Sequence, residues 1–352
     1  MSVIVPSYAY TYIKIGFLKQ LLIPSTELGS LEKINDIKEL IKVIKPYFPD
    51  LDIKKFTIIE IEKQLYHIYI KLVGRIISFS PANLRKFLQD FLMKYEIMNI
   101  KQVILGIILG MTRKEKEGNI NFLVQDYLDR RAFMEELVKL TTLEEVRLFL
   151  RDTKYYKAVR EGLLAFKNRN EIFVLESFLD QLYYKILNKK RAALNKFEKK
   201  MIHLFTEILS EIYNIKMSYR GIINDIERKL LSQFLAESYL FLDKDKINIL
   251  LNQTDLNEFF NLLNRDLKDS EELHPIYSPI SSEIEHPMWQ IEKLYQNFFF
   301  KKFKLKIDKI DFSALYRIFE LVIKKEREIK HHILPNVIRI LHKKFNKLEE
   351  MK

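Results

Sequence analysis

Apolar residues recur along this chain at steps of three and four, the spacing that places side chains on one face of an α-helix. Leu84, Phe87, Leu88, Phe91, Tyr95 and Met98 form one such run. Phe197, Met201, Leu204, Phe205, Ile208, Ile212, Ile215 and Tyr219 form a longer seam, of the kind that packs against other helices. Shorter runs predict helices near residues 8–22, 37–44, 143–150, 175–183, 247–251 and 289–303. Another passes through Ile318, Phe319, Val322 and Ile323, with Asp311 or Ser313 as its cap. Ser80-Pro81 reads as an N-cap followed by the first residue of a long helix. Pro24, Pro46 and Pro49 break the pattern early, and Pro335 predicts a helix end or kink late in the chain. Eight glycines and nine prolines are few for this length, and β-rich folds need many turn residues. The expected fold class is therefore all-α.

The helices carry a repeat. EIMNIK (residues 96–101) returns as EIYNIK (residues 211–216) and, more weakly, as EIKHHI from Glu328. Glu96, Glu211 and Glu328 stand 115 and 117 residues apart. Upstream of each lies a glutamate followed three and seven residues later by large apolar or aromatic side chains. These are Glu62 with Leu65 and Tyr69, Glu176 with Leu179 and Tyr183, and Glu292 with Tyr295 and Phe299. The intervals from marker to motif are 34, 35 and 36 residues. A period kept by two independent markers predicts three similar helical-bundle subdomains. Their expected bounds are 1–118, 119–230 and 231–352, the last with a proline-bearing loop at 269–287.

Nearly half of the residues are hydrophobic, which provides for a large core and excludes global disorder. The absence of cysteine excludes disulfides, thiolate zinc sites and a cysteine nucleophile. No run approaches the roughly 20 apolar residues of a membrane helix, so the chain is not expected to span a bilayer. The net charge of +12 allows nucleic acid, an anionic membrane surface or acidic proteins as partners.

On a helix Glu96 and Asn99 share a face beside the apolar seam, with Lys101 close by; Glu211, Asn214 and Lys216 repeat the arrangement. In the third unit the corresponding positions are Glu328 and His331. This strip is either a solvated flank retained through common descent, or a surface facing a central axis or the neighbouring unit. Conventional catalytic motifs are missing: there is no glycine-rich phosphate loop, no G-x-S-x-G and no H-E-x-x-H. His331 and His332 point about 100° apart on a helix and cannot share a metal. No catalytic, cofactor-binding or metal-binding residue is therefore expected. GIILG (residues 106–110) reads as close packing or a helix end. FFFKKFKLK (residues 298–306) reads as a helix end with buried Phe and exposed Lys rather than a nucleic-acid surface.

The tripled unit, its late E-I-x-N-I-K helix, the stretch from TLEEV to RDTKYY and the opening YAYTYIKIGFLKQLL together resemble the C subunit of A-type ATP synthases, equivalent to the d subunit of V-type ATPases. The resemblance covers essentially the whole chain. It implies three subdomains around a pseudo-threefold axis, forming a funnel without catalytic residues. The funnel would sit on the cytoplasmic end of the membrane rotor ring, made of proteolipid subunits. It would receive the central shaft, built of the D and F subunits, and transmit torque in proton or sodium transport. The chain departs from that family where Lys101 and Lys216 replace the usual Arg, and where His331, His332 and Pro335 interrupt the third motif. The alternative from another class is a basic helical scaffold that binds RNA or DNA.

Overall fold

A computed structural model describes residues 7–169, 171–281, 286–304 and 310–350, without side-chain detail for 169 and 344–350. Every regular element among them is helical. The main helices are α1 (Ala9–Leu18), α2 (Ile37–Ile44), α3 (Ile58–Phe79), α4 (Ala82–Ile108), α5 (Leu143–Phe149), α6 (Tyr156–Arg169) and α7 (Ile172–Leu187). They continue with α8 (Lys196–Ile223), α9 (Lys244–Leu251), α10 (Leu256–Lys268), α11 (Pro287–Lys304), α12 (Ile310–Arg327) and α13 (Leu334–Glu350). By packing, the chain forms two compact units, Met1–Leu88 with Leu305–Lys352, and Gln89–Lys304.

In the first unit α1 packs on α12; Ile15 of α1 and Tyr8 just before it are fully buried, as are Leu315 and Phe319 on α12. Each such side chain contributes about 2 kcal/mol by leaving water. Helix α2 falls where its periodicity placed it, because Asp36 accepts the free N–H groups of Lys38 and Glu39 at its start. Polar groups fix the docking of α1: Asp311 accepts Tyr8 N–H at 2.8 Å, and Lys19 pairs with Glu320 at 2.6 Å.

That use of Asp311 differs from the expected cap. Helix α12 already includes residue 310, so Asp311 and Ser313 lie inside it. Ser80 also differs, since its hydroxyl donates back to Ile76 O and so closes α3, while α4 begins at Ala82. At Pro335 the chain does not stop. The helical backbone continues through a π-helical turn over Glu328–Ile333 directly into α13, and this wider turn just before Pro335 accommodates a residue that has no N–H to donate.

The second unit is built on α4 and α8, of 27 and 28 residues. Phe91, Phe205 and Phe299 form a run of ring contacts at 5.9 Å each, and Phe299 meets Phe303 at 5.2 Å. Phe298, Phe299 and Phe303 are buried, while Lys301 and Lys304 are exposed; Leu305 and Lys306 lie outside the described residues. Gly110 ends α4 at φ +66°, with Met111 N–H bonded to Gly106 O and Gly110 N–H to Ile107 O. A Cβ on Gly106 would come within 2.6 Å of the Lys116 chain, so GIILG combines close packing with a helix stop. Within 269–281 the loop is pinned by Asn264, which bonds both Ile280 N–H and Ile280 O. Its residues 282–285 lie outside the described set.

Candidate functional site

The strip residues are largely buried. Glu96, Glu211 and Asn214 have no exposed surface, and Asn99 and Glu328 almost none. A buried polar group must find partners or cost several kcal/mol, so the partners define what the strip does.

Glu211 sits at the middle of α8 and accepts from three successive backbone N–H groups, Leu240, Phe241 and Leu242, at 2.5–3.1 Å. Tyr295 O–H of α11 adds a fourth donor at 2.6 Å. Burial still pushes the Glu211 carboxyl above the usual carboxylate range, against the pull of those four donors. The same burial drives the Tyr295 hydroxyl up, so it remains a donor. Glu96, at the matching place in α4, is held by different chemistry. Tyr155 O–H donates at 2.8 Å, and Arg130 Nε lies 3.2 Å away, off the line of a hydrogen bond. Arg130 is stacked over the Phe133 ring at 4.2 Å, which fixes the cation beside the acid.

The two asparagines act alike. Asn99 accepts Asn121 N–H at 3.1 Å and donates to Asn121 O at 3.0 Å; Gln125 Oε1 takes its second proton. Asn214 accepts Ala236 N–H at 2.8 Å and donates to Ala236 O at 3.0 Å. Each amide grips both backbone groups of the residue 22 positions ahead, like a single rung of a sheet ladder. The lysines reach further: Lys101 pairs with Asp180 at 2.7 Å, and Lys216 pairs with Glu292.

In the first unit the third echo uses its own set. Glu328 accepts Ile23 N–H at 2.8 Å and pairs with Lys325 at 2.8 Å. Lys325, buried on α12, also donates to Leu21 O at 2.6 Å and Tyr47 O at 3.1 Å, and its Nζ lies 3.5 Å from the Phe48 ring centre. Burial lowers the Lys325 ammonium to about 8 and raises the Glu328 carboxyl. His331 lies within the π turn. Arg339 of α13 adds a clamp on Ile34 O at 2.6 Å and Asn35 at 3.0 Å.

Sequence periodicity alone missed Lys325, Arg130, Tyr155 and Arg339. Only Lys325 had a local signal: it stands at three residues from Val322 and four from Ile329, in register with apolar positions that are buried. Chemically the strip is a set of staples. Its carboxylates already receive donors or cations, and among the described residues no group of three His, Asp or Glu is placed to hold a metal ion. Among them too, no helix is long and apolar enough to cross a membrane.

The family model described as ATP synthase (C/AC39) subunit matches residues 14–349. The A-type ATP synthase C subunit of Methanocaldococcus jannaschii is 25% identical over 65% of this chain and 58% of that protein. That of Methanosphaera stadtmanae is 22% identical over 73% of this chain and 68% of its own length. That of Pyrococcus furiosus is 22% identical over 65% of this chain and 60% of that protein. The alignment with the M. jannaschii protein thus leaves more than a third of that relative unmatched. With a family model accounting for nearly the whole chain, this protein belongs to the ATP synthase (C/AC39) subunit family.

Proposed function

We propose that this chain is a non-catalytic coupling subunit of an A-type ATP synthase rotor. On this reading it sits on the cytoplasmic side of the membrane, bound on one side to the proteolipid ring and on the other to the central shaft of D and F subunits. The observation that carries it is the direction of the staples. With repeats at 1–118, 119–230 and 231–352, the strip's long-range bonds all leave their own repeat. Glu96, Asn99 and Lys101 reach Arg130, Tyr155, Asn121 and Asp180 in the second repeat. Glu211, Asn214 and Lys216 reach 236–242, Glu292 and Tyr295 in the third. Lys325 and Glu328 reach Leu21, Ile23 and Tyr47 in the first. Each repeat is thereby tied to the next, and the third to the first, with every tie inside one of the two compact units.

Such ties suit a part that carries torque. A joint between ring and shaft must resist shear between subdomains, and buried bonds to backbone give way less readily than exposed ion pairs. The strip is then internal reinforcement, and the gripping surfaces lie elsewhere.

The test is recovery of the native complex from detergent-solubilised membranes through a tag on this chain. Ring and shaft proteins should come with it in fixed proportion. Recovery of the chain free of both, or on RNA or DNA that resists nuclease and high salt, would overturn the reading in favour of a nucleic-acid scaffold.

A further inference from the structure

One end of the second unit is unusually basic. The turn from α7 into α8 carries Lys189, Lys190, Lys196, Lys199 and Lys200 within twelve residues, all exposed, with small exposed Ala192 and Ala193 at its tip. Helix α11 runs antiparallel to α8: Lys216 meets Glu292, while Phe205 meets Phe299. That brings the carboxyl end of α11, with exposed Lys301 and Lys304, to the same end of the bundle.

The acids nearby have partners of their own. Glu198 is buried in the capping box of α8 with Asn195, Asp90 is held by Arg191 at 2.9 Å, Glu272 pairs with Lys302 at 2.9 Å, and Glu207 lies 3.3 Å from His203. Lys189 comes only within 3.8 Å of Asp90, and Lys190, Lys196, Lys199 and Lys200 have no acidic partner among the described residues. Three of these lysines also stand at the amino end of α8, where the helix dipole disfavours cations. Helix stability therefore does not explain them. Their number, flexibility and lack of any bidentate or stacking arrangement fit a diffuse negative surface better than a shaped pocket.

We propose that this end of the bundle, the α7–α8 turn with the carboxyl end of α11, rests on the anionic headgroups of a lipid bilayer. The contact is electrostatic and peripheral, and it concerns the isolated chain, so it stands or falls separately from the coupling role.

The experiment is sedimentation of the full chain with phosphatidylcholine vesicles, with and without phosphatidylglycerol, across a salt series. Wild type should bind only the phosphatidylglycerol vesicles, and binding should fall with salt. A quintuple variant, Lys189→Gln, Lys190→Gln, Lys196→Gln, Lys199→Gln and Lys200→Gln, should lose roughly tenfold or more in affinity. Lys→Arg at the same five positions should restore it. A control removes five other exposed lysines, Lys33, Lys38, Lys42, Lys54 and Lys55, which are interspersed with Glu32, Asp36, Glu39, Asp50 and Asp52. It should change affinity by no more than about twofold. Equal losses in both quintuple variants, or no binding of wild type to anionic vesicles, would overturn the proposal. So would tighter binding to a random-sequence DNA duplex that the tip variant abolishes, which would assign the surface to nucleic acid.

Discussion

Glu211 and Glu328 begin motifs that echo each other, and both are buried, yet they are held in opposite ways. Glu211 lies in a regular α-helix and is held entirely by neutral donors, three backbone N–H groups and a tyrosine. Glu328 lies in a π turn and leans on a buried cation, Lys325, with a single backbone N–H beside it. A carboxylate among fixed dipoles keeps its bonds whatever happens to other ionisable groups. A carboxylate paired with a buried ammonium depends on a second charge that itself dislikes burial.

The comparison breaks most visibly at Lys325. Lys325→Ala should destabilise the chain by about 3–5 kcal/mol in urea unfolding, since it strands Glu328 in the core. The double variant Lys325→Met with Glu328→Leu should be near neutral or more stable, because two desolvated charges leave together. If the double is as damaging as the single, the pair is a net stabiliser and the contrast with Glu211 fails.

Between about pH 8 and 10.5 the pair should also respond in a way that the Glu211 nest, which holds no cation, does not. Lys325 is depressed to about 8 from 10.5, so its favourable contribution is complete above about pH 10.5 and is lost as pH falls through about 8. Glu328 is raised, so its contribution is present below the ordinary glutamate range and is lost as pH rises through its folded value. The charged pair is thus least favourable between the two. Relative to the Lys325→Met, Glu328→Leu double variant, wild type should gain up to about 3 kcal/mol between about pH 8 and 10.5. Tyr47 and Lys324 flank Glu328 and remain in both proteins, so the difference isolates the pair. A flat difference across that range would contradict the account.

The neutral nest should fail more gradually. Glu211→Ala leaves three N–H groups and the Tyr295 hydroxyl without acceptor, at about 3 kcal/mol. Tyr295→Phe removes one donor and should cost about 1–2 kcal/mol. Equal losses from the two substitutions would mean that the backbone donors carry none of the load.

These differences mark what was legible in the sequence. The 3.6-residue periodicity located α2, α7, α8 and α11 and established the helical class, since one buried face per helix writes itself into local spacing. The repeat drew Glu96 and Glu211 out as a strip beside the seam but did not say that the seam would close over them. Burial of a polar residue depends on partners dozens of residues away, such as Tyr155 for Glu96 and Tyr295 for Glu211. The π turn at 328–333 was invisible for a related reason. Local sequence marked Pro335 as a break, but the wider turn before it is stabilised by packing around Ile329 and Ile333, both buried.

The smallest effect belongs to the edge of the strip. Lys101 and Asp180 form a partly exposed pair, with Asp180 about one third exposed, so Lys101→Met should cost no more than about 1 kcal/mol. A larger loss in thermal unfolding would mean that the strip's outer rim, not its buried centre, does the tying.

The central claim is that a tied set of repeats couples membrane ion movement to the catalytic head. Its most direct measurement is ATP hydrolysis and ATP-driven ion pumping in membranes depleted of this chain, before and after the purified chain is added back. The account predicts that the head still hydrolyses ATP while pumping is lost, and that pumping returns on reconstitution. Pumping at undiminished efficiency without the chain would contradict it.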